Sequence, residues 1–264
     1  MQSKYIIANW KQNPKTLVEA KKLLEITKDF NDEQGKKENK KYKLEIAHAV
    51  PSIFAGVLAA ESKEIFVQDI FWAEDGAYTG KYGAAQAKSA GIYMSLVGHS
   101  ETRESKQNKK GYTNEEIAQK LENLSKNKMW ACLCVGEEVR NKNYKQALKM
   151  QITKSLEKTK AADLKNICLA YEPVWAIGSA AKRAATTAEI VESIDAIKDI
   201  LKELYPSKDD KITKNTITLY GGSVDKDNIL EILALPNVGG LLIGRASSDA
   251  KKWKGILDKV LKSK

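Results

Sequence analysis

The sequence predicts a single (β/α)8 barrel spanning residues 1–264. Eight short apolar runs recur along the chain, and segments of helical period separate them. A third observation counts against the alternative, a doubly wound open sheet. The first run ends in Asn9-Trp10-Lys11-Gln12-Asn13, without the glycine-rich turn that such a sheet places after its first strand. No Pro/Gly/Ser-rich linker divides the 264 residues, which suffice for one large core.

The strand-like runs are Tyr5–Ala8, Leu44–Ala49, Ile65–Gln68, Met94–Val97, Trp130–Val135, Ile167–Tyr171, Thr216–Tyr220 and Leu241–Ile243. Most lack alternation of apolar and polar residues, as strands buried on both faces do. Between the first two, Leu17, Ala20, Leu23, Leu24 and Phe30 share one helical face. The segments near Val57–Ala60 and Ala84–Ala90 are less periodic. Thr113 and Glu116 have capping-box spacing and start a helix with Ile117, Leu121 and Leu124 inward. Ala147, Met150 and Leu156 are the expected buried face of the next. Ile190, Ile194, Ile197, Leu201 and Leu204 form the clearest stripe, closed by Pro206. Ile229–Leu235 and Trp253–Leu261 complete the set.

Net charge is +10, and all but four of the 44 basic residues are Lys. Nucleic-acid readers carry Arg-rich stripes or a known module, so no nucleic-acid partner is expected. A Lys-rich stretch near residues 31–43, including Lys36–Lys43, reads as a solvated insertion. The positive field would attract an anionic substrate. No apolar run approaches the ~20 residues of a membrane span, and Tyr5–Ala8 is too short for a signal-peptide core. Three cysteines without CxxC spacing, Cys132, Cys134 and Cys168, suggest packing residues in a reducing, cytoplasmic compartment. His48, the second of two histidines, lies in the second strand and reads as structural.

Barrels of this kind place their chemistry at the C-terminal strand ends. Asn9 and Lys11 follow strand one, His99 and Glu101 strand four, Glu172 strand six, Gly221-Gly222-Ser223 strand seven and Gly244-Arg245 strand eight. One residue separates Asn9 from Lys11, which on an extended backbone points both side chains the same way. Cys168, Ala170 and Glu172 share a face for the same reason. A carboxylate and a neutral imidazole facing one pocket suit proton abstraction beside a carbonyl. Lys11 and the imidazole would stabilise the enediolate oxygens. Glycine-rich turns with free N–H groups suit a phosphate dianion. No metal or cofactor is required.

The segments ANWKQN, VGHSE, CVGE, AYEPVWAIG, LYGGSV and GGLLIGRAS, from residue 8 to residue 247, resemble those of triose-phosphate isomerases in order and spacing. The resemblance, and not the spacing, implies that Glu172 is the base and His99 the neutral electrophile, a division of labour for which this family is a standard illustration. It further implies Lys11 and Asn9 at the substrate, and backbone N–H groups of Gly178, Ser223, Gly244 and Arg245 at its phosphate. Glu101 would support Lys11, and Cys134 belongs to a supporting segment. Trp175–Ala184 would be a closing lid hinged at Pro173-Val174-Trp175, with Tyr220 as its latch. The loop around Thr79 would enter a partner subunit, giving a homodimer.

Three departures from the family pattern stand out. The lid is a few residues longer and carries Ala180 at a customary glycine, which predicts altered closure. Thr102 and Lys81 replace an Arg and an acidic residue that can bridge subunits. Arg245 replaces a common glycine. Two rival readings are a non-catalytic phosphate-binding or surface-adhesion protein and an isomerase of larger sugar phosphates.

Overall fold

In the computed structural model, eight strands pair in parallel and in chain order, and the last returns to the first. They are β1 (Gln2–Asn9), β2 (Tyr42–Val50), β3 (Ile65–Val67), β4 (Met94–Val97), β5 (Trp130–Val135), β6 (Ile167–Tyr171), β7 (Thr218–Tyr220) and β8 (Gly240–Ile243). The structure describes residues 2–36, 42–105, 108–178, 181, 183–207 and 214–263. An α-helix follows each strand: α1 (Leu17–Lys36), α2 (Ser52–Ala59), α3 (Ala84–Ser89), α4 (Asn114–Lys126), α5 (Tyr144–Ser155), α6 (Thr187–Leu204), α7 (Ile229–Leu233) and α8 (Ala250–Leu261). No helix among the described residues is long and apolar enough to cross a membrane.

Strand parity divides the core into two layers. Ile7, Ala49, Phe66, Leu96, Cys132 and Ala170 pack inside the barrel. Ile6, Leu44, Val97, Leu133 and Leu169 pack outward beneath the helices, with Leu23, Ile117, Ile194 and Trp253 against them. All three cysteines are free and buried, on the inner face. His48 lies in the outer layer between the rings of Trp10 and Trp253, at centroid distances of 5.2 and 6.2 Å.

Several boundaries differ from the sequence expectation for physical reasons. β1 starts before its apolar run because Lys4 is buried, its ammonium donating to the Val238 carbonyl. α1 continues through residues 31–36, where the sequence suggests an insertion. Gln34 holds it there by exchanging two hydrogen bonds, at 3.0 and 2.8 Å, with the backbone of Leu44. Residues 37–41 of the Lys-rich stretch lie outside the described residues. On α5 the buried face is Tyr144, Leu148, Ile152 and Ser155, while Met150 is 57 % exposed and Ala147 also faces solvent. Apolar residues lie on two sides of that helix, and the wider one packs inward.

Candidate active site

β1 ends at Asn9, which is buried, and the chain then turns rather than running on extended. Lys11 has φ +52°, and its N–H donates to Asn9 Oδ1 at 3.0 Å. The two side chains therefore share one cavity because of a left-handed turn, not because of the strand parity the sequence suggests. Gln68 at the end of β3 fixes this turn, donating to the carbonyls of Lys11 at 2.7 Å and Ala49 at 3.0 Å. Lys11 Nζ reaches Glu101 Oε1 at 2.6 Å.

β4 ends at Gly98, whose φ of +69° and proximity to Arg103 both call for glycine. A Cβ there would stand 2.7 Å from Arg103 Nη2. Residues 99–103 form one hydrogen-bonded turn, the N–H groups of Thr102 and Arg103 both donating to the His99 carbonyl. The Glu101 N–H donates to His99 Nδ1 at 3.2 Å. That bond leaves the ring proton to Nε2, which lies 3.0 Å from Glu172 Oε1. Arg103, buried among the strand ends, donates to the carbonyls of Gly98 and Cys134 at 3.2 and 3.0 Å and so braces β4 against β5.

Glu172 continues β6, its N–H bonded to the Val135 carbonyl at 2.8 Å. Gly136 is required beside it, because a Cβ there would come 1.7 Å from the Glu172 carbonyl oxygen. The Glu172 side chain is buried, with Oε2 accepting from the Ser100 N–H at 3.2 Å. Glu137, next along, accepts from the Tyr171 hydroxyl and the Trp175 indole, each at 2.9 Å, through Oε1. Its carbonyl also accepts from Val174 N–H at 3.1 Å. The segment after Glu172 is thus fastened to the end of β5.

These residues open into one cavity of about 820 Å³. Asn9, Lys11, His99, Glu101 and Glu172 line it, together with Gly178, Ser223, Gly244 and Arg245. Gly178 has φ +76°. Arg183 and Lys252 also line it, so the cavity has more cationic than anionic walls. Four other predicted residues lie outside the lining. Cys134 is fully buried in the barrel below, and Trp175 is held on Glu137. Tyr220 is buried, and its pKa is pushed up to about 12 chiefly by that burial, with the Ser223 backbone opposing the rise. Thr79 sits on the exposed β3–α3 loop, well away from the cavity. Ser179, Ala180 and Lys182 lie outside the described residues.

Burial pushes the His99 pKa down, but the adjacent Glu172 carboxylate outweighs it and leaves a net rise. Burial pushes the Glu172 pKa up, and His99, the Ser100 N–H and Lys11 together bring it below the ordinary value. Each group thus holds the other's charged form while they touch. A molecule seated between them removes that support, leaving burial and Lys11, which favour the neutral ring, against Glu101, which favours the charged one. A carboxylate base, a neutral N–H donor and an ammonium around one cavity can shuttle a proton between adjacent carbons of a carbonyl compound.

Gln68, Arg103, Glu137 and Lys252 were not singled out by sequence spacing. Only Glu137 had a signal, as part of CVGE; Arg103 is one of four arginines and follows His99 by one turn.

Comparison with known proteins agrees with this geometry. The sequence model described as triosephosphate isomerase matches residues 4–260. A triosephosphate isomerase of Mycoplasma genitalium is 32 % identical over 257 residues, covering 96 % of this chain and 97 % of the relative. One from Malacoplasma penetrans is 33 % identical over 262 residues, covering 97 % and 98 %. The crystal structure of triosephosphate isomerase from Bartonella henselae superposes with a TM-score of 0.76 at 26 % identity, covering 97 % of this chain and 98 % of that one. A match that reaches every strand of the barrel, and every strand end that builds the cavity, means that the chain belongs to the triosephosphate isomerase family.

Proposed function

We propose that the family's reaction, the interconversion of dihydroxyacetone phosphate and D-glyceraldehyde 3-phosphate, runs in this chain between Glu172 and His99. The isomerase activity is that of the family to which the chain belongs. The observation that carries the assignment is the 3.0 Å contact of Glu172 Oε1 with His99 Nε2 inside the cavity that Lys11 also lines. Substrate entering there parts the pair. Glu172 takes the carbon-bound proton while Nε2–H and the Lys11 ammonium meet the developing enediolate oxygens. The proton then returns to the neighbouring carbon. Asn9 holds the Lys11 turn through its amide oxygen. Ser223, Gly244, Gly178 and Arg245 supply backbone N–H groups to the phosphate, with Arg245, Arg183 and Lys252 adding positive field.

Trp175 begins the lid, and Glu137 is its anchor in the present state. Glu101 orients both Lys11 and the His99 ring, while Cys134 supports the site through the carbonyl held by Arg103.

The test is a coupled assay on glyceraldehyde 3-phosphate. Glu172→Gln is expected to lower kcat by about 10³-fold with the fold intact, in the range of a positioned acid–base group. Activity within a few-fold of the unmodified chain would remove Glu172 from the role. Nothing among the described lining residues favours the non-catalytic reading, since Asn9, Lys11, His99 and Glu172 all face the cavity.

The whole chain is proposed to act as one barrel domain in cytoplasmic glycolysis and gluconeogenesis. A homodimer fits the β3–α3 loop, where Phe71, Trp72 and Tyr78 cluster with ring centroids 4.8–5.6 Å apart and Tyr78 is 40 % exposed. Thr79 follows at the tip. Lys81, where the family often has an acid, lies 5.7 Å from the Phe71 ring and 5.9 Å from the Tyr112 ring. Solution mass by light scattering is expected to be twice the 29.3 kDa of the chain. A monomer at micromolar concentration contradicts the dimer.

A further inference from the structure

We propose that the floor of the barrel is a second ligand site, built to hold a small uncharged aromatic molecule. A cavity of about 650 Å³ opens among the N-terminal strand ends, at the opposite end of the barrel from Glu172. Barrels of this architecture are normally filled by layers of bulky branched side chains. Here the cavity is lined by two small inward residues, Ala47 of β2 and Cys168 of β6, which leave room among Ile7, Phe66 and Leu219. The resulting volume lies within the ~300–1,000 Å³ usual for small-molecule pockets.

The lining sets the class of ligand. Ile7, Phe66, Met94, Ile217 and Leu219 form apolar walls, and the Cys168 thiol lies among them. Trp130 and Tyr5 stand at the mouth, 40 % and 38 % exposed, so two large rings face a guest at the entrance. Such rings favour stacked or edge-on contact with another ring. Among the described residues, the charged groups of the lining are Lys43, Glu45 and Glu64. Lys43 is paired with Glu45 at 2.7 Å, which leaves the Glu64 carboxylate in excess. An anion, including the sugar phosphate bound at the other end, is therefore disfavoured. The apolar inner wall, open to solvent only at its mouth, suits a ring that enters past Tyr5 and Trp130. The inference is independent of the roles assigned to Glu172 and His99.

The test uses the full chain and N-phenyl-1-naphthylamine, an uncharged dye that fluoresces in apolar surroundings. Saturable binding of one dye per chain is expected, undisturbed by millimolar inorganic phosphate. Ala47→Phe and Ile217→Trp each fill the cavity from a different strand, and either is expected to weaken binding by at least about tenfold. Isomerase activity stays at the unmodified level in both. A second readout needs no variant. N-ethylmaleimide alkylates Cys168 by forming an Sγ–C bond as the ring double bond opens, the thiol proton passing to the adjacent carbon. Saturating dye is expected to slow that modification, followed by intact mass and peptide mapping. The proposal fails if no saturable binding is seen, if binding survives both filling variants, if phosphate displaces the dye, or if Cys168 is alkylated at the same rate, or not at all, with and without dye.

Discussion

Neither ring nitrogen of His48 has a hydrogen-bond partner among the described residues, and the neighbouring Trp10 Nε1 has none either. Burial pushes the His48 pKa down to about 3, against ~6.5 in an unfolded chain. Between those values the unfolded state binds the extra proton. The cost is absent above pH ~6.5 and grows as pH falls towards 3, at no more than about 1.4 kcal/mol per pH unit. Replacing His48 by Leu is expected to flatten this acid limb and leave stability at pH 8 equal or higher. Urea titrations from pH 8 to 4 measure it, and an unchanged slope would contradict the assignment. Residues of this scale were legible in the sequence when they sit just past a strand end. Asn9, Lys11, His99 and Glu172 do, and the cavity receives all four. Gln68 and Arg103 act through hydrogen bonds to distant backbone, and nothing in local spacing announces such a partner. Lys11 shows that a right placement can have a different cause, a left-handed turn.

Helix α4 illustrates what an element reveals and what it conceals. Its Thr113–Glu116 capping box forms as spaced, with bonds of 2.9 and 3.2 Å. Its fully buried Lys120 could not be anticipated, since lysine marks a solvent face in any periodicity count. The ammonium reaches both oxygens of Asp69 at 2.6 Å and lies 3.0 Å from the centre of the Tyr112 ring. Burial lowers its pKa to about 8 despite Asp69. This pair ties α4 to the start of the β3–α3 loop. Lys120→Met strands the Asp69 carboxylate and is expected to cost about 3–5 kcal/mol. Adding Asp69→Asn should recover much of it, and a denaturant double-mutant cycle reads both. If the single change costs under 1 kcal/mol, the tether contributes little. On α5 the periodic count pointed to Met150, because that helix is apolar on two sides and only packing chooses between them. The proposed lid shows the same limit. Arg183 pairs with both oxygens of Glu189 at 2.7 Å and lies 4.7 Å from the Trp175 ring, joining the two ends of the segment.

At the scale of the molecule, eight strands and their order were legible because each is buried on both faces and reads as an apolar run. The floor cavity was not, because an alanine or cysteine at an inward position looks like ordinary core until the neighbouring strands are known. Closure has a consequence for timing. Every strand is bonded on both sides, so no ladder can fray from an edge. The Glu172 amide is the last rung on β6, and Pro173 separates it from the segment held by Glu137 and Arg183. Deuterium exchange is therefore expected to show a step there: amides of Leu169 to Glu172 exchanging only with global opening, those of Trp175 to Gly178, Arg183 and Ala184 orders of magnitude sooner. A gradual slope across Pro173 would contradict it. Under the proposed roles, the Glu172 backbone keeps its station while the proposed lid opens and closes, so turnover can be retimed by changes in that segment alone.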